Sequence, residues 1–258
     1  MMYYASAVLQ DLGPRSAQED VAYADDVQGL FAVADGMGAS MSGRPAAELA
    51  IKTLSENCSS PENLVRAVQM ANAEVFARTD AASRYWKDPH RKPVPDSYEL
   101  TRWLGMGTTL VAVALERNMA TVAHVGDSRA YRFREGKLLR LTRDHRLAEE
   151  ARLHGMSEKE IEELPKHVIT RALGIAAEVE VSVSTIDIWD GDIFLLCSDG
   201  LTDTVTDSDI EAVMNAAPSD LNVLASMLVT FALQHGEPSL DDNISVVLVE
   251  IEARVSAF

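Results

Sequence analysis

The sequence predicts an α+β protein in which antiparallel sheets are covered by helices. Short apolar runs separated by turn residues are typical of strands, and they occupy residues 30–34, 108–115, 120–125, 130–133, 181–188, 193–197 and 244–251. Helical periodicity instead marks residues 46–54, 61–77, 207–216 and 220–233. Strand-like runs follow one another around 108–141, and the helical runs are grouped between other strand-like runs. We therefore expect antiparallel sheets with helices packed outside.

The chain is expected to form a single domain over residues 1–258. At this length, and with 47% hydrophobic residues, it can bury one sizeable core. Two segments interrupt the regular pattern. Residues 80–104 are rich in proline and aromatic residues and are predicted to be a loop insertion. Residues 145–170 are polar with a helical composition, which predicts a small surface flap.

The charge and the cysteine content exclude several classes of protein. A net charge of −17 disfavours binding to nucleic acid and to anionic membrane surfaces. Cys58 and Cys197 are too few for a disulfide framework and lack zinc-site spacing with histidine. The N-terminal residues lack a signal-peptide pattern, and no apolar run reaches the roughly 18 residues of a membrane span. We therefore expect a soluble, cytoplasmic protein.

Three aspartates stand where apolar runs end or begin. Asp35 follows one run, Asp199 follows another, and Asp242 precedes the last. If these runs are antiparallel neighbours, the three carboxylates converge on one rim, where Mg²⁺ or Mn²⁺ finds the oxygen ligands it prefers. The alternative is that they are ordinary turn residues, because Asp is common at strand ends and both Asp35 and Asp199 precede glycine. Local reasoning leaves both interpretations open.

Eight short blocks, in order along the chain, give the sequence a family resemblance. They are RSAQED (15–20), VADGMG (33–38), GMGTTLV (105–111), VGDSRAYR (125–132), LTRDH (141–145), VITRALG (168–174), LLCSDGLTD (195–203) and DDNISVVLV (241–249). Together they resemble the metal-dependent protein phosphatase family, the type 2C serine/threonine phosphatases. The resemblance implies a four-layer α-β-β-α sandwich with a small flap subdomain, and an enzyme that hydrolyses phosphoserine and phosphothreonine.

The resemblance also implies a set of metal ligands. Asp35 resembles the carboxylate that bridges two metal ions, and Gly36 the residue whose carbonyl binds one of them. Asp199 and Asp242 resemble ligands of the first metal, and Glu19 a ligand of the second. The implied cofactor is a pair of Mn²⁺ or Mg²⁺ ions.

Four further residues are assigned by the same resemblance. Arg15 matches the arginine that grips the substrate phosphate, a task that suits its planar fork of donors. Asp20 resembles the acid that orients a ligated water, and Asn243 the neighbour that positions Asp242. Asp127 resembles a ligand that joins Asp199 at a third, weaker metal site. The alternative for Asp127 is a turn residue between two strands.

The implied mechanism is direct attack by a metal-bridging hydroxide, without a phosphoenzyme. The chain departs from the family in two places that matter for the site. Residues 38–40 read Gly-Ala-Ser, so a histidine that follows this block in many members is absent, and we expect a metal-bound water to act as the acid. His124 and His145 are more distant candidates. Arg146 stands where serine is common.

Two alternatives to the phosphatase remain, and both differ from it in class. One is a catalytically weak or dead relative that serves as a regulatory binding module, and the other is a metal-dependent phosphodiesterase or nuclease. For the phosphatase itself the expected partners are phosphorylated proteins, opposite a Ser/Thr kinase, and the expected state is a monomer. Glu158, Glu162 and Glu163 are predicted to lie on a solvated flap helix that selects substrates, or on an ordinary exposed helix.

Overall fold

The computed structural model describes residues 2–38, 43–92, 97–165, 167–235 and 242–253. Its strands are β1 (Met2–Asp11), β2 (Val21–Asp25), β3 (Leu30–Ala34), β4 (Gly36–Met37), β5 (Gly107–Thr108), β6 (Leu110–Glu116), β7 (Met119–Val125), β8 (Arg129–Arg134), β9 (Lys137–Arg140), β10 (Ser182–Asp187), β11 (Ile193–Cys197) and β12 (Ile244–Ala253). Its α-helices are α1 (Arg44–Asn57), α2 (Leu64–Lys87), α3 (Ser97–Arg102), α4 (Leu147–Leu153), α5 (Glu158–Ile161), α6 (Asp199–Thr202), α7 (Asp207–Ala216) and α8 (Leu221–His235). None of these described helices is long and apolar enough to cross a membrane.

Two five-stranded antiparallel sheets form the centre of the molecule. One has the strand order β1-β12-β11-β8-β9, and the other has the order β10-β7-β6-β3-β2. In the first sheet β1 pairs with β12 along its whole length, from Met2 opposite Ala253 to Asp11 opposite Ile244. Strand β12 therefore lies between the first strand of the chain and β11.

Alternating residues of each sheet face two different cores. Phe31 and Val33 of β3 point to the layer between the sheets, where they meet Phe194 and Val247 of the other sheet. The remaining residues of β3, such as Ala32, pack under helices α1 and α2. On the far side, residues of β11 and β12 pack in the same way under α7 and α8. The result is helix, sheet, sheet, helix, which confirms the predicted sandwich.

The predicted loop insertion at 80–104 is wrong over its first part. Helix α2 continues to Lys87, because no proline interrupts it before Pro89 and Ala82 is buried on its inner face. A second short helix, α3, occupies part of the remainder. Residues 93–96 of this segment lie outside the described residues.

Four described strands were absent from the sequence prediction: β1, β2, β9 and the two-residue β4. Strands β1, β2 and β9 mix polar with apolar residues, and β2 and β9 contain no buried residue. In β1 only Ala7 is fully buried. The runs buried on both faces were recovered, since only those are continuously apolar.

The predicted flap at 145–170 contains α4 and α5 and is closed at its base by backbone pairing. Leu147 N donates to the carbonyl of Val168 (2.9 Å), and Thr170 N donates to that of His145 (2.7 Å). Helix α5 begins with a capping box between Ser157 and Glu160 and ends at Ile161. The predicted helical run at 158–164 is therefore shorter than expected, and Glu162 and Glu163 lie beyond the helix.

Candidate metal-dependent active site

Five of the acids singled out from the sequence line one cleft of ≈ 700 Å³. Its lining includes Glu19, Asp35, Asp127, Asp199 and Asp242. Asp199 and Asp242 meet because β11 and β12 are antiparallel neighbours. The same reasoning was wrong for Asp35: β3 belongs to the opposite sheet, so this carboxylate reaches the cleft across the sandwich.

The backbone at Asp35 is held by two threonines that precede β6. Asp35 N donates to Thr109 Oγ1 (3.0 Å), while Thr108 Oγ1 and Thr109 N each donate to the Asp35 carbonyl at 2.9 Å. Thr109 Oγ1 also lies 2.7 Å from Ser128 Oγ, which is buried. These contacts fix where β3 ends, so the direction of the Asp35 side chain is set by a rigid backbone.

Gly36 follows Asp35 and touches the backbone of Gly43, the residue that precedes α1. A Cβ built on Gly36 would lie 2.5 Å from the Gly43 carbonyl carbon, and one built on Gly43 would lie 2.4 Å from the Gly36 oxygen. Only glycine at both positions permits this approach. The contact leaves the Gly36 backbone at the cleft, as the ligand assignment requires.

Asn243 joins the loop that carries Glu19 to the start of β12. Its side-chain oxygen accepts from Glu19 N at 2.7 Å, and its amide nitrogen donates to the carbonyls of Leu12 and Ala17, both at 3.0 Å. Its backbone N donates to Asp242 Oδ1 at 2.8 Å. The side chain of Asn243 therefore positions the Glu19 loop, and only its backbone touches the Asp242 carboxylate.

Arg15 stands at the mouth of the cleft, where Nη2 contacts Asp242 Oδ2 at 2.9 Å. Its side chain is 39% exposed, so an incoming phosphate can reach the guanidinium. A phosphate bound there would compete with Asp242 for the same fork of donors.

Asp20 lies behind the cleft and is almost completely buried. Its Oδ2 accepts from Ser198 Oγ at 2.7 Å, whereas its Oδ1 has no hydrogen-bond partner among the described residues. Burial raises the pKa of Asp20 to about 6, and the charge of Asp242 adds to the rise. Asp20 is therefore placed to hold a proton or to orient a water near neutral pH.

The carboxylates at the cleft repel one another when no cation is bound. Burial raises the pKa of Asp35 well above its ordinary value, and Asp199, Asp20 and Asp242 raise it further. The pKa of Asp199 is raised in the same way by burial and by Asp127. Asp199 Oδ1 is buried and has no hydrogen-bond partner in the part of the chain that the structure describes. Such a group needs a positive partner.

This donor set fits hard divalent cations. Among the described residues, no three acidic, histidine or cysteine side chains lie close enough together to enclose a metal ion by themselves. Mg²⁺ and Mn²⁺ nevertheless bind with few carboxylates, because water molecules and backbone carbonyls complete their shells. The acidic lining of the cleft, the Gly36 backbone and Asp199 Oδ1, which has no hydrogen-bond partner in the described part of the chain, meet that requirement.

The predicted third site differs from the other two. Asp127 Oδ2 contacts Nε of Arg146 at 2.6 Å, and the same guanidinium reaches Asp199 and Asp203. Sequence reasoning assigned no role to Asp203, although it stands four residues after Asp199. The two carboxylates expected to bind a third ion thus already contact a guanidinium, and they do not fit a third metal ion in this arrangement.

The remaining candidates from the sequence lie away from the cleft. His124 and His145 are buried, and their rings stack at 4.6 Å. Burial and the neighbouring His124 lower the pKa of His145 to about 4, so the ring is neutral. Neither histidine lines the cleft, which removes both as general acids. Burial raises the pKa of Cys197 to about 12, so its thiol is inert.

A carboxylate-lined cleft between two antiparallel sheets, with an arginine at its mouth, defines a metal-dependent phosphohydrolase. The chain matches the family described as Protein phosphatase 2C over residues 12–239, and it belongs to that family. It is 34% identical over 227 residues to a serine/threonine phosphatase stp of Listeria welshimeri, a match that covers 87% of this chain and 85% of the relative.

Two further relatives agree with this assignment. The serine/threonine protein phosphatase PstP of Mycobacterium tuberculosis is 32% identical over 242 residues, which are 92% of this chain and 43% of PstP. A solved PstP catalytic domain, in complex with 2 manganese ions, matches with a TM-score of 0.77 and 30% identity, over 98% of this chain and 100% of that one. The chain is a protein serine/threonine phosphatase, a metal-dependent phosphoprotein hydrolase.

Proposed function

We propose that this phosphatase hydrolyses phosphoserine and phosphothreonine by direct attack of water on phosphorus, with two Mn²⁺ or Mg²⁺ ions held by Glu19, Asp35, Gly36, Asp199 and Asp242. The observation that carries the proposal is the convergence of these groups, from both sheets, on one cleft. When bound, the ions would polarise the phosphate and lower the pKa of a ligated water.

The protein's own part in the reaction is to place the reactants. Asp35 stands on a backbone fixed by the two threonines, and Asp199 opens α6 directly after β11. In our proposal Arg15 leaves Asp242 to bind two oxygens of the substrate phosphate, which orients the ester for in-line attack. Asp20, whose Oδ1 has no hydrogen-bond partner within the described ranges, orients the attacking water or takes its proton.

The leaving alkoxide needs a proton, and neither buried histidine can supply it. Residues 39–40, where a catalytic histidine would follow the glycines in many relatives, read Ala-Ser and lie outside the described residues. We propose that a water in the cleft supplies this proton. The opposing Ser/Thr kinase, the monomeric state and the cytoplasmic location stay predictions of the sequence.

The test is an Mn²⁺-dependent assay on a phosphothreonine peptide with the Asp35→Asn variant. An amide cannot supply the negative charge that holds two dications, so turnover should fall by at least about a hundredfold while circular dichroism stays unchanged. Asp25→Asn is the matched control: Asp25 also ends a strand, but its carboxylate accepts from Val27 N and Gln28 N in a turn.

Wild-type turnover in Asp35→Asn would refute the two-metal assignment. The same assay separates the alternatives. A binding module without catalysis releases no phosphate at any Mn²⁺ concentration, and a diesterase prefers a phosphodiester to the phosphopeptide.

A further inference from the structure

The guanidinium of Arg146 contacts three carboxylates that line the cleft, those of Asp127, Asp199 and Asp203. Nε lies 2.6 Å from Asp127 Oδ2, Nη1 lies 2.7 Å from Asp203 Oδ1, and Nη2 lies 3.1 Å from Asp203 Oδ2 and 3.2 Å from Asp199 Oδ2. We propose that Arg146 is a built-in cation that takes the place of a third metal ion, so that the enzyme binds two ions and not three. This inference rests on the proposed function for the ligand role of Asp199.

The arginine is held too firmly to be a surface side chain that happens to lie nearby. Its side chain is only 12% exposed, and the side chains of Asp127 and Asp203 are 3% and 12% exposed. Two parallel contacts to Asp203 give the planar fork a fixed orientation. Burial opposes the charge, but the hydrogen bonds to Asp203 and the charge of Asp127 raise the pKa of Arg146 above its ordinary value.

The backbones on both sides of the ion pair are also tied together. Next to Asp127, Gly126 N donates to Nδ1 of His145 (3.0 Å), and His145 N donates back to the Gly126 carbonyl (3.0 Å). On its other side, Arg146 is bridged to Ile169 at the base of the flap. The Arg146 side chain therefore reaches the three carboxylates from a backbone that is held in place on both sides.

A metal ion at this place would have to displace the arginine. A dication bound to Asp127 Oδ2 and Asp199 Oδ2 would occupy the oxygens that Nε and Nη2 now contact, and a guanidinium cannot lose its charge to make room. Two positive charges cannot share the site at contact distance without strong repulsion. Asp127 Oδ2, Asp199 Oδ2 and both oxygens of Asp203 are thus already occupied by the chain itself.

The same contact prepares Asp199 for its proposed role. Its Oδ2 is held by Arg146, while its buried Oδ1 has no hydrogen-bond partner among the described residues. One oxygen is therefore fixed and the other is left for a metal ion. Arg146 acts as a positioning residue for this ligand, and it also closes the adjoining site.

The test counts bound Mn²⁺ by equilibrium dialysis and isothermal titration at saturating metal, without reference to activity. Wild type should bind two ions. Arg146→Ser, which removes the cation but keeps its three carboxylates, should bind a third and weaker ion, while Arg146→Lys should stay at two. Arg134→Ser is the matched control, because Arg134 makes a similar two-contact pair with Asp192 outside the cleft lining and should leave the count at two.

A second variant keeps the proposal testable if Arg146→Ser does not fold. Asp127→Asn in the presence of Arg146 should leave the count at two, because Asp127 binds the arginine and not a metal. A wild type that binds three ions, a folded Arg146→Ser that binds only two, or an Asp127→Asn that loses one ion would overturn the inference. A wild type that binds fewer than two ions would refute the proposed function as well.

Discussion

Asn243→Ala should both destabilise the fold and weaken metal binding, because one buried side chain joins the Glu19 loop to β12. The substitution removes three hydrogen bonds, one from Glu19 N and two to the carbonyls of Leu12 and Ala17. At about 1 kcal/mol for each net contact, the free energy of unfolding should fall by about 3 kcal/mol. With a urea slope of about 3 kcal/mol/M, the midpoint should drop by roughly 1 M.

The effect on metal affinity distinguishes a positioning role from simple destabilisation. Groups that orient metal ligands typically contribute about 10–100-fold to affinity, so Mn²⁺ should bind to Asn243→Ala at least about tenfold more weakly. The measurement is isothermal titration of the folded protein with Mn²⁺, in parallel with urea unfolding of the metal-free protein.

Asn72→Ala is a close control. Asn72 is also buried and also makes three hydrogen bonds: its oxygen accepts from Gly174 N (2.9 Å), and its nitrogen donates to the carbonyls of Ala176 (3.1 Å) and Ala177 (3.2 Å). It does not line the cleft. The Asn72→Ala variant should lose about as much free energy of unfolding as Asn243→Ala but leave Mn²⁺ affinity unchanged. Equal losses of affinity in the two variants, or an unchanged midpoint in Asn243→Ala, would refute the reasoning.

Three further predictions follow from contacts in and near the cleft. Arg15→Ala should raise KM and lower kcat for a phosphopeptide, because it removes a charge-assisted contact to the substrate phosphate. Its Mn²⁺ affinity, measured by titration, should stay within about threefold of wild type. An equally large loss of Mn²⁺ affinity would show that Arg15 has a structural role instead. The pKa of His145 is about 4 in the folded protein, against 6.5 for an ordinary histidine. As the pH falls below 6.5, the unfolded chain therefore binds a proton that the folded protein does not, and the free energy of unfolding decreases until the pH reaches about 4. This pKa shift corresponds to about 3 kcal/mol in the free energy of unfolding. In urea unfolding, the stability of His145→Asn should therefore depend less on pH than that of wild type. Parallel plots of stability against pH for the two proteins would contradict the prediction. Gly43→Ala places a Cβ 2.4 Å from the Gly36 oxygen and should lower Mn²⁺ affinity, whereas an unchanged titration would show that the Gly36 carbonyl is not a ligand.

The sequence predicted the strands that are buried on both sides, and also the exposed strand β10, but it missed β1, β2 and β9. Strands β3 and β11 are continuous apolar runs, and their predicted bounds agree with the structure. Strand β9 has no buried residue, so its local pattern does not distinguish it from a loop. The end of α2 was placed too early because the aromatic residues near Trp86 were interpreted together with the prolines that follow.

The sequence indicated which residues form the site, but not which residues they contact. Aspartates at strand ends indicated a metal centre. That Asp35 belongs to the opposite sheet depends on the tertiary structure, and no local sequence pattern indicates it. Arg146 was visible only as a departure from the usual serine. Its contact with Asp127 joins residues nineteen positions apart and depends on how the base of the flap packs beside β8.

The pairing of β1 with β12 has a consequence for how the chain acquires activity during synthesis. β1 is made before every other described strand and β12 after all of them, yet each residue of β1 is paired with β12. Until β12 leaves the ribosome, β1 has no strand partner in its sheet, Asp242 is absent, and the cleft lacks one wall. The nascent chain should therefore stay inactive and remain a client for chaperones that bind unpaired strands, and phosphatase activity should begin only after translation has passed β12.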